Sequence, residues 1–254
     1  MSKHDQLDTV LKSEMLSRED FDALAEAIGE EQSMPWDKEE RRIFLNKKIR
    51  HAFGHMLVNP FRDWWEPDYR IIVEATAKKL NVHYEKSMSL EQIEENILLE
   101  ILEIAKKTII KEHGKEAWNE IVQQAEAEIR ESIAKGQIKG DEALRLKALS
   151  SGSIFAALIA GKLAGFSLYI VVNQLVFAIA RYLGIPLTVG LAGPILGKTL
   201  AILLGPVGWL LGGIFTLIQI GDTSWKKVIP GIVIVAIYRR KIKFSLESNL
   251  TVVP

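Results

Sequence analysis

Ser89-Leu-Glu-Gln-Ile-Glu-Glu-Asn-Ile-Leu-Leu-Glu-Ile-Leu-Glu-Ile-Ala105 is the stretch that decides the fold class. Ser89 and Gln92 form a capping-box pattern, in which each side chain can satisfy the other residue's backbone N–H at a helix start. Leu90, Ile93, Ile97, Ile101, Ile104 and Ala105 then recur at helical spacing, and Gly114 can close the helix. Downstream, Trp118, Ile121, Val122, Ala125 and Ile129 repeat the pattern with Glu and Gln opposite, and Gly136 and Gly140 bracket a break. Upstream, Ser17-Arg-Glu-Asp20 caps a helix carrying Phe21, Leu24, Ala25 and Ile28, ended by Gly29. A helix from about Asp37 to Phe53 is expected to turn Ile43, Phe44 and Ile49 inward. Pro67 suits the first turn of another, with Tyr69, Ile72, Val73 and Leu80 buried and Asn81 past its end. No stretch in this half alternates with period two, so the chain reads as all-α.

Charge divides the chain in two. Of the 32 acidic residues, 30 lie in residues 1–150 and only Asp222 and Glu247 follow, whereas Lys and Arg split 23 and 9. An acidic half is thus joined to a basic, apolar one within a chain of zero net charge. The sequence predicts a short helical module over 1–34, an acidic helical domain over 35–140, a glycine-rich apolar helical hairpin region with a basic end over 141–244, and a tail over 245–254. There is no cysteine, which excludes disulfides, thiolate metal sites and cysteine nucleophiles. Met1–Glu31 has no apolar run of the kind a secretory signal needs.

The apolar half holds three uncharged runs, 163–180, 182–197 and 199–221. A bilayer core of roughly 30 Å needs about 20 apolar residues as helix, so the first and third are long enough to span. Pro186, Pro194 and Pro206 exclude one continuous helix. Twelve of the 18 glycines lie between Gly152 and Gly221, and Gly161/Gly165, Gly193/Gly197 and Gly208/Gly212 are each four apart. On a helix that spacing makes a smooth face for close helix packing, including packing of a second copy. The region is therefore either a membrane-inserting hairpin or a helical core sheathed by the acidic helices. Phe166, Tyr169, Val172, Phe177, Trp209, Leu210, Phe215 and Trp225 are the expected membrane contacts. Lys226, Lys227, Arg239, Arg240 and Lys241 flank the last apolar segment, with Trp225 and Tyr238 at its ends, as an element facing anionic lipid would be written. A solvated basic face at the end of a core helix reads the same way.

Ala192-Gly-Pro-Ile-Leu-Gly197-Lys198-Thr199 satisfies a relaxed phosphate-loop pattern, but no clear strand precedes it and only two acids follow. His51 and His55 share a helix face, yet no acid lies between Glu40 and Asp63 to complete a metal site. Asp63-Trp64-Trp65-Glu66-Pro67-Asp68 reads as core anchors beside helix-start acids, or as a partner-binding patch. No convergent set of reactive groups appears, so no enzyme, metal or cofactor is expected, and the acidic half is unsuited to nucleic acid.

Tyr69-Arg-Ile-Ile-Val-Glu-Ala-Thr-Ala-Lys-Lys-Leu80-Asn-Val and Lys86-Ser-Met-Ser-Leu-Glu-Gln-Ile-Glu-Glu-Asn-Ile-Leu-Leu-Glu-Ile-Leu102 resemble the core of the bacterial YaaW family. Gly205-Pro-Val-Gly-Trp-Leu-Leu-Gly-Gly213 and Trp225-Lys-Lys-Val-Ile-Pro230-Gly-Ile-Val-Ile-Val-Ala-Ile-Tyr-Arg-Arg240 are similar to its C-terminal segment, and Asp20-Phe-Asp-Ala-Leu24 to its leading module. The resemblance covers most of the chain discontinuously. It implies a remote relationship to ubiquinol–cytochrome c chaperones and carries no catalytic residues. The apolar segment is longer than such a chaperone needs.

The leading expectation is a non-enzymatic, membrane-associated helical protein on the cytoplasmic side of the inner membrane, or in the cytoplasm with membrane association. Its partner would be membrane lipid or a membrane protein. The alternatives are a soluble chaperone or adaptor for membrane-protein assembly, with Trp64, Trp65 and Trp118 as contacts, and a membrane-permeabilising effector.

Overall fold

The computed structural model describes residues 6–57, 67–136, 138, 140–149, 153–159, 163, 165–182 and 225–250. Among them ten α-helices and one 3-10 turn occur, and no strand. The helices are α1 (Gln6–Leu11), α2 (Arg18–Ala27), α3 (Lys38–Leu57), α4 (Tyr69–Lys79), α5 (Leu90–His113), α6 (Lys115–Ala134), α7 (Gly140–Lys147), α8 (Ser153–Ile159), α9 (Gly165–Tyr182) and α10 (Trp225–Leu250). They divide into two compact units, one of Met1–Ile101 with Gln219–Pro254, the other of Leu102–Ile218.

Local chemistry sets most helix ends. Ser17 and Asp20 close a capping box on α2, with Ser17 N–H donating to Asp20 Oδ2 at 2.7 Å and Asp20 N–H to Ser17 Oγ at 3.3 Å. Ser89 and Gln92 do the same for α5, at 2.8 and 3.2 Å. Asp68, rather than Pro67, caps α4, its carboxylate accepting the Arg70 N–H at 2.8 Å. Gly29, with φ +68°, adopts the left-handed backbone that ends α2 and that a side chain would strain.

The first unit is built around α10, which packs on α1, α2, α3 and α4. Every residue from Val228 to Tyr238 is buried, the pattern of a helix enclosed on all sides. Gly231 is what lets it come so close, since a Cβ there would lie 3.1 Å from Ile28 Cγ2 and 3.7 Å from Ile49 Cγ1. In α3 the inward row is Arg41, Leu45, Ile49 and Phe53, four apart. The expected inward Ile43 instead faces out, 53% exposed, and Phe44 is half-buried. The physical reason is register: the row of fours leaves position 43 on the opposite face.

In the second unit α9 packs on α6, α7 and α8. Every described side chain from Ser167 to Ile179 is buried. On α6, Trp118, Ile121, Ala125 and Ile129 form the inward stripe, and Val122 is half-buried.

These helices overturn the expectation of bilayer insertion. Among the described residues, no helix is long and apolar enough to cross a membrane. The 18 residues of α9 reach ~27 Å, short of a roughly 30 Å hydrocarbon core, and include Ser167, Asn173 and Gln174. The buried run of α10 ends in Arg239, Arg240 and Lys241, all engaged by acids of the same unit. The transmembrane reading goes with it. The uncharged runs 182–197 and 199–221 lie outside the described residues, apart from Tyr182 at the end of α9.

Candidate functional site

Two features of the first unit stand out chemically, a charged seam along the end of α10 and an exposed aromatic beside α3. The seam begins with Tyr238, whose hydroxyl donates to the Asp20 carbonyl at 2.5 Å. One residue on, Arg239 Nε donates to Glu94 at 3.0 Å. Glu94 is 1% exposed and also accepts the Tyr69 hydroxyl at 3.1 Å. Arg240 pairs with Glu91 at 3.0 Å and with Glu95. Lys241 reaches Asp20 at 2.6 Å, and Lys243 reaches Glu91 at 3.4 Å. Burial pushes the Glu94 carboxyl above its ordinary range, against the pull of Arg239, Tyr69 and Arg240. Burial likewise pushes the Tyr238 hydroxyl well up, with Asp20 and Asp22 adding to it.

The other end of α10 is anchored differently. Lys227 donates to Glu30 at 3.0 Å, and Glu30 also accepts from Lys48 at 2.7 Å. Burial raises the Glu30 carboxyl, but the two lysines outweigh it and hold it below the usual range. Trp225 meets the Phe53 ring edge-on at 6.2 Å, with Lys79 Nζ 5.9 Å from its centroid. Lys226 is exposed.

The second feature is Trp36, 81% exposed, with the Arg18 guanidinium 4.6 Å above its ring. It immediately precedes Asp37, whose Oδ1 caps α3 through the N–H groups of Glu39 and Glu40 at 2.9 and 3.0 Å. Glu31, Asp37, Glu39 and Glu40 are exposed in the same segment, 31–40. Nothing in the sequence signals this exposure, since a single Trp without periodic neighbours carries no pattern.

In the second unit one buried acid links two helices. Glu126, buried on α6, accepts from Arg130 at 3.1 Å and from the Phe155 N–H at 3.4 Å, which ties α6 to the first turn of α8. Trp118, an expected partner contact in the adaptor reading, is buried and meets Phe155 edge-on at 5.3 Å. Ser167 Oγ and Asn173 Nδ2 are buried on α9 with no hydrogen-bond partner among the described residues.

The structure thus brings Lys227, Arg239, Arg240 and Lys241 into intrachain pairs. Of the expected membrane contacts, Val172 and Phe177 are buried in α9 and Trp225 is half-buried at the start of α10. Phe166 and Tyr169 lie within α9, and Gly165 is its first residue. Gly161, Gly193, Gly197, Gly208, Gly212, Trp209, Leu210 and Phe215 lie outside the described residues, as do Trp64, Trp65 and the phosphate-loop-like 192–199. His51 is half-buried on α3, which also carries His55. Among the described residues no three His, Asp or Glu side chains are grouped closely enough to hold a metal ion.

Comparison with known proteins gives one consistent answer. A protein of Helicobacter pylori strain J99 is 32% identical over 183 residues, which are 71% of this chain and 64% of that protein, and is described as a UPF0174 protein. Two further Helicobacter pylori proteins carry the same description. A second, from strain 26695, is 25% identical over 207 residues, 81% of this chain and 90% of its own length. A third, again from strain J99, is 26% identical over the same span and shares. These relatives support descent from a bacterial family. The chain spans just under two thirds of the length of the first of these relatives. No family model matches the chain, and no solved structure matches it.

Proposed function

We propose that this chain is a non-enzymatic helical adaptor that takes a basic protein segment on the face around Trp36. The observation that carries this is the 81% exposure of Trp36 beside a rigid helix start. A large aromatic left in water, in a unit that buries Phe21, Phe53 and Tyr69 completely, is a recognition anchor, because Trp supplies much contact area at low entropic cost. Arg18 covers one face of the ring, so the other is open to a partner. Among the exposed residues of 31–40 four are acids, Glu31, Asp37, Glu39 and Glu40, and one, Lys38, is basic, with Arg18 a second cation on the ring. Glu39 is satisfied by Arg42, and Lys38 by Glu14 at 3.3 Å, whereas Glu31, Asp37 and Glu40 stay exposed. That excess favours a partner with Lys or Arg next to an apolar side chain. Elsewhere in the unit, buried ionisable groups such as Glu94 and Arg239 are spent on one another, which supports a structural rather than catalytic use. The likeness of 69–82 and 86–102 to the YaaW family, and remotely to ubiquinol–cytochrome c chaperones, fits a protein that holds another protein.

The test places a photo-crosslinking residue at position 36, with exposed Ile43 on the following helix as a second site and Lys107 as an exposed control in the other unit. A discrete protein adduct from 36 and 43 but not from 107 is expected. Trp36→Ala should weaken binding of that protein at least about ten-fold. No discrete adduct, or the same adducts from all three positions, would refute the reading.

A further inference from the structure

We infer that the partner on the Trp36 face is a second copy of this chain, whose α3 lies antiparallel across the first; the inference rests on the reading of that face as a docking surface. Trp36 and Ile43, at 81% and 53%, are the two most exposed large apolar side chains described in the first unit. Ile43 lies on the outer face of α3, turned away from the buried row of Arg41, Leu45, Ile49 and Phe53. Glu40, three residues before it, and Lys47, four after, share that face and are exposed. Among the described residues neither has an ion-pair partner, whereas the adjacent Glu39 is taken by Arg42 and Lys48 by Glu30.

The outer face of α3 therefore carries an acid on one side of Ile43 and a base on the other, and that pattern is self-complementary. Place a twofold axis beside Ile43 with the helices antiparallel. Glu40 of each copy then stands opposite Lys47 of the other, and both pairs form at once, because in an isologous interface residue i meets j and j meets i. The two pairs, ~10.5 Å apart along the helix, bracket the contact of Ile43 with its own copy. A parallel pair would set Glu40 against Glu40 and Lys47 against Lys47, so the charges select the antiparallel one. The same register brings the open face of Trp36 onto the copy's α3 at the level of His51. The second half of α3 also has the chemistry that the Trp36 face favours, apolar side chains followed by bases: Ile43, Phe44, Lys47 and Lys48. One helix face buries less than a standard interface, so the dimer is a weak one whose population follows concentration.

The experiment is sedimentation equilibrium of the full chain over about a hundred-fold range of concentration, where a monomer–dimer equilibrium is expected. Glu40→Lys and Lys47→Glu each put like charges at both pairs, and each should weaken self-association at least about ten-fold. An equimolar mixture of the two variants should associate about as strongly as the parent, since each supplies the charge the other lacks. A photo-crosslinking residue at position 43 should join two copies of the purified chain, and one at position 107 should not. A chain that stays monomeric, single variants that dimerise like the parent, or a crosslink between copies from 107 but not from 43 would overturn the inference. A monomeric chain that still gives a discrete adduct with a different protein from position 36 would overturn the second copy alone and leave the docking reading standing.

Discussion

Asp20 and Lys241, 221 residues apart in sequence, meet at 2.6 Å. The same Asp20 oxygen accepts the Ser17 N–H at 2.7 Å and so completes the capping box of α2. One carboxylate thereby starts an N-terminal helix and fastens the last one. Asp20→Ala should cost about 2 kcal/mol, as both the cap and a largely buried charge partner are lost. Lys241→Met should cost about 1 kcal/mol or less, since Asp20 keeps its cap bond and the apolar stem still packs. Urea unfolding of both variants checks the order. If Lys241→Met proves the more damaging, the cap is not what Asp20 chiefly supplies.

Gly231 sets how near α10 approaches α2 and α3. Alanine would raise helix propensity by about 1 kcal/mol. Its Cβ, however, would press at 3.1 Å on Ile28, which is itself buried beside Ile49. Overpacking of that kind costs about 1–3 kcal/mol, so Gly231→Ala should be destabilising by about 1 kcal/mol net. Gly231→Leu should prevent the first unit from closing. A Gly231→Ala variant that melts higher than the parent would show that Ile28 gives way freely.

The contrast between Gly231 and the glycines at spacing four shows what sequence patterns can and cannot carry. Helix starts were legible because caps are local: Ser17 with Asp20, and Ser89 with Gln92, lie three residues apart and behave as written. So were the stripes of α4 and α6, whose apolar spacing is regular. What α10 buries against was not legible. Its basic end reads equally as a lipid-facing rim or as one half of an ion seam, and the other half, Glu91, Glu94 and Glu95, looks like solvated surface on an amphipathic helix. Only the fold brings them together, because pairing at a separation of 145 residues leaves no periodic trace. Ile43 failed for a smaller reason, since apolar residues at 43, 44, 45 and 49 fit two helical registers and the buried row of fours chose one.

Glu26 predicts a pH dependence of the opposite kind from an ordinary surface acid. Burial, reinforced by Glu31, raises its carboxyl from 4.5 to about 7. The folded protein thus binds a proton that the unfolded chain has released, and stability from this group falls as pH rises from about 4.5 to about 7. Glu26→Gln removes that slope. The melting temperature of the variant should gain on the parent progressively between about pH 5 and about pH 8, with little difference at the acid end. Parallel curves across the range would show that Glu26 is ionised in the folded state throughout.

Trp36 and Trp118 make a controlled pair, the same side chain in opposite surroundings. Trp118 is 4% exposed and meets Phe155 edge-on at 5.3 Å, with Lys106 Nζ 5.7 Å from that ring. Trp118→Ala removes the largest side chain of the α6 stripe and leaves a cavity, which should cost about 3–5 kcal/mol. Hydrogen exchange should report the loss in α6, α8 and α9, where the second unit packs. Trp36→Ala removes only an exposed ring and its contact with Arg18, so stability should change by no more than about 0.5 kcal/mol. A large loss of stability from Trp36→Ala would make that ring a structural prop of the α2–α3 connection and remove the reason to regard it as a docking anchor.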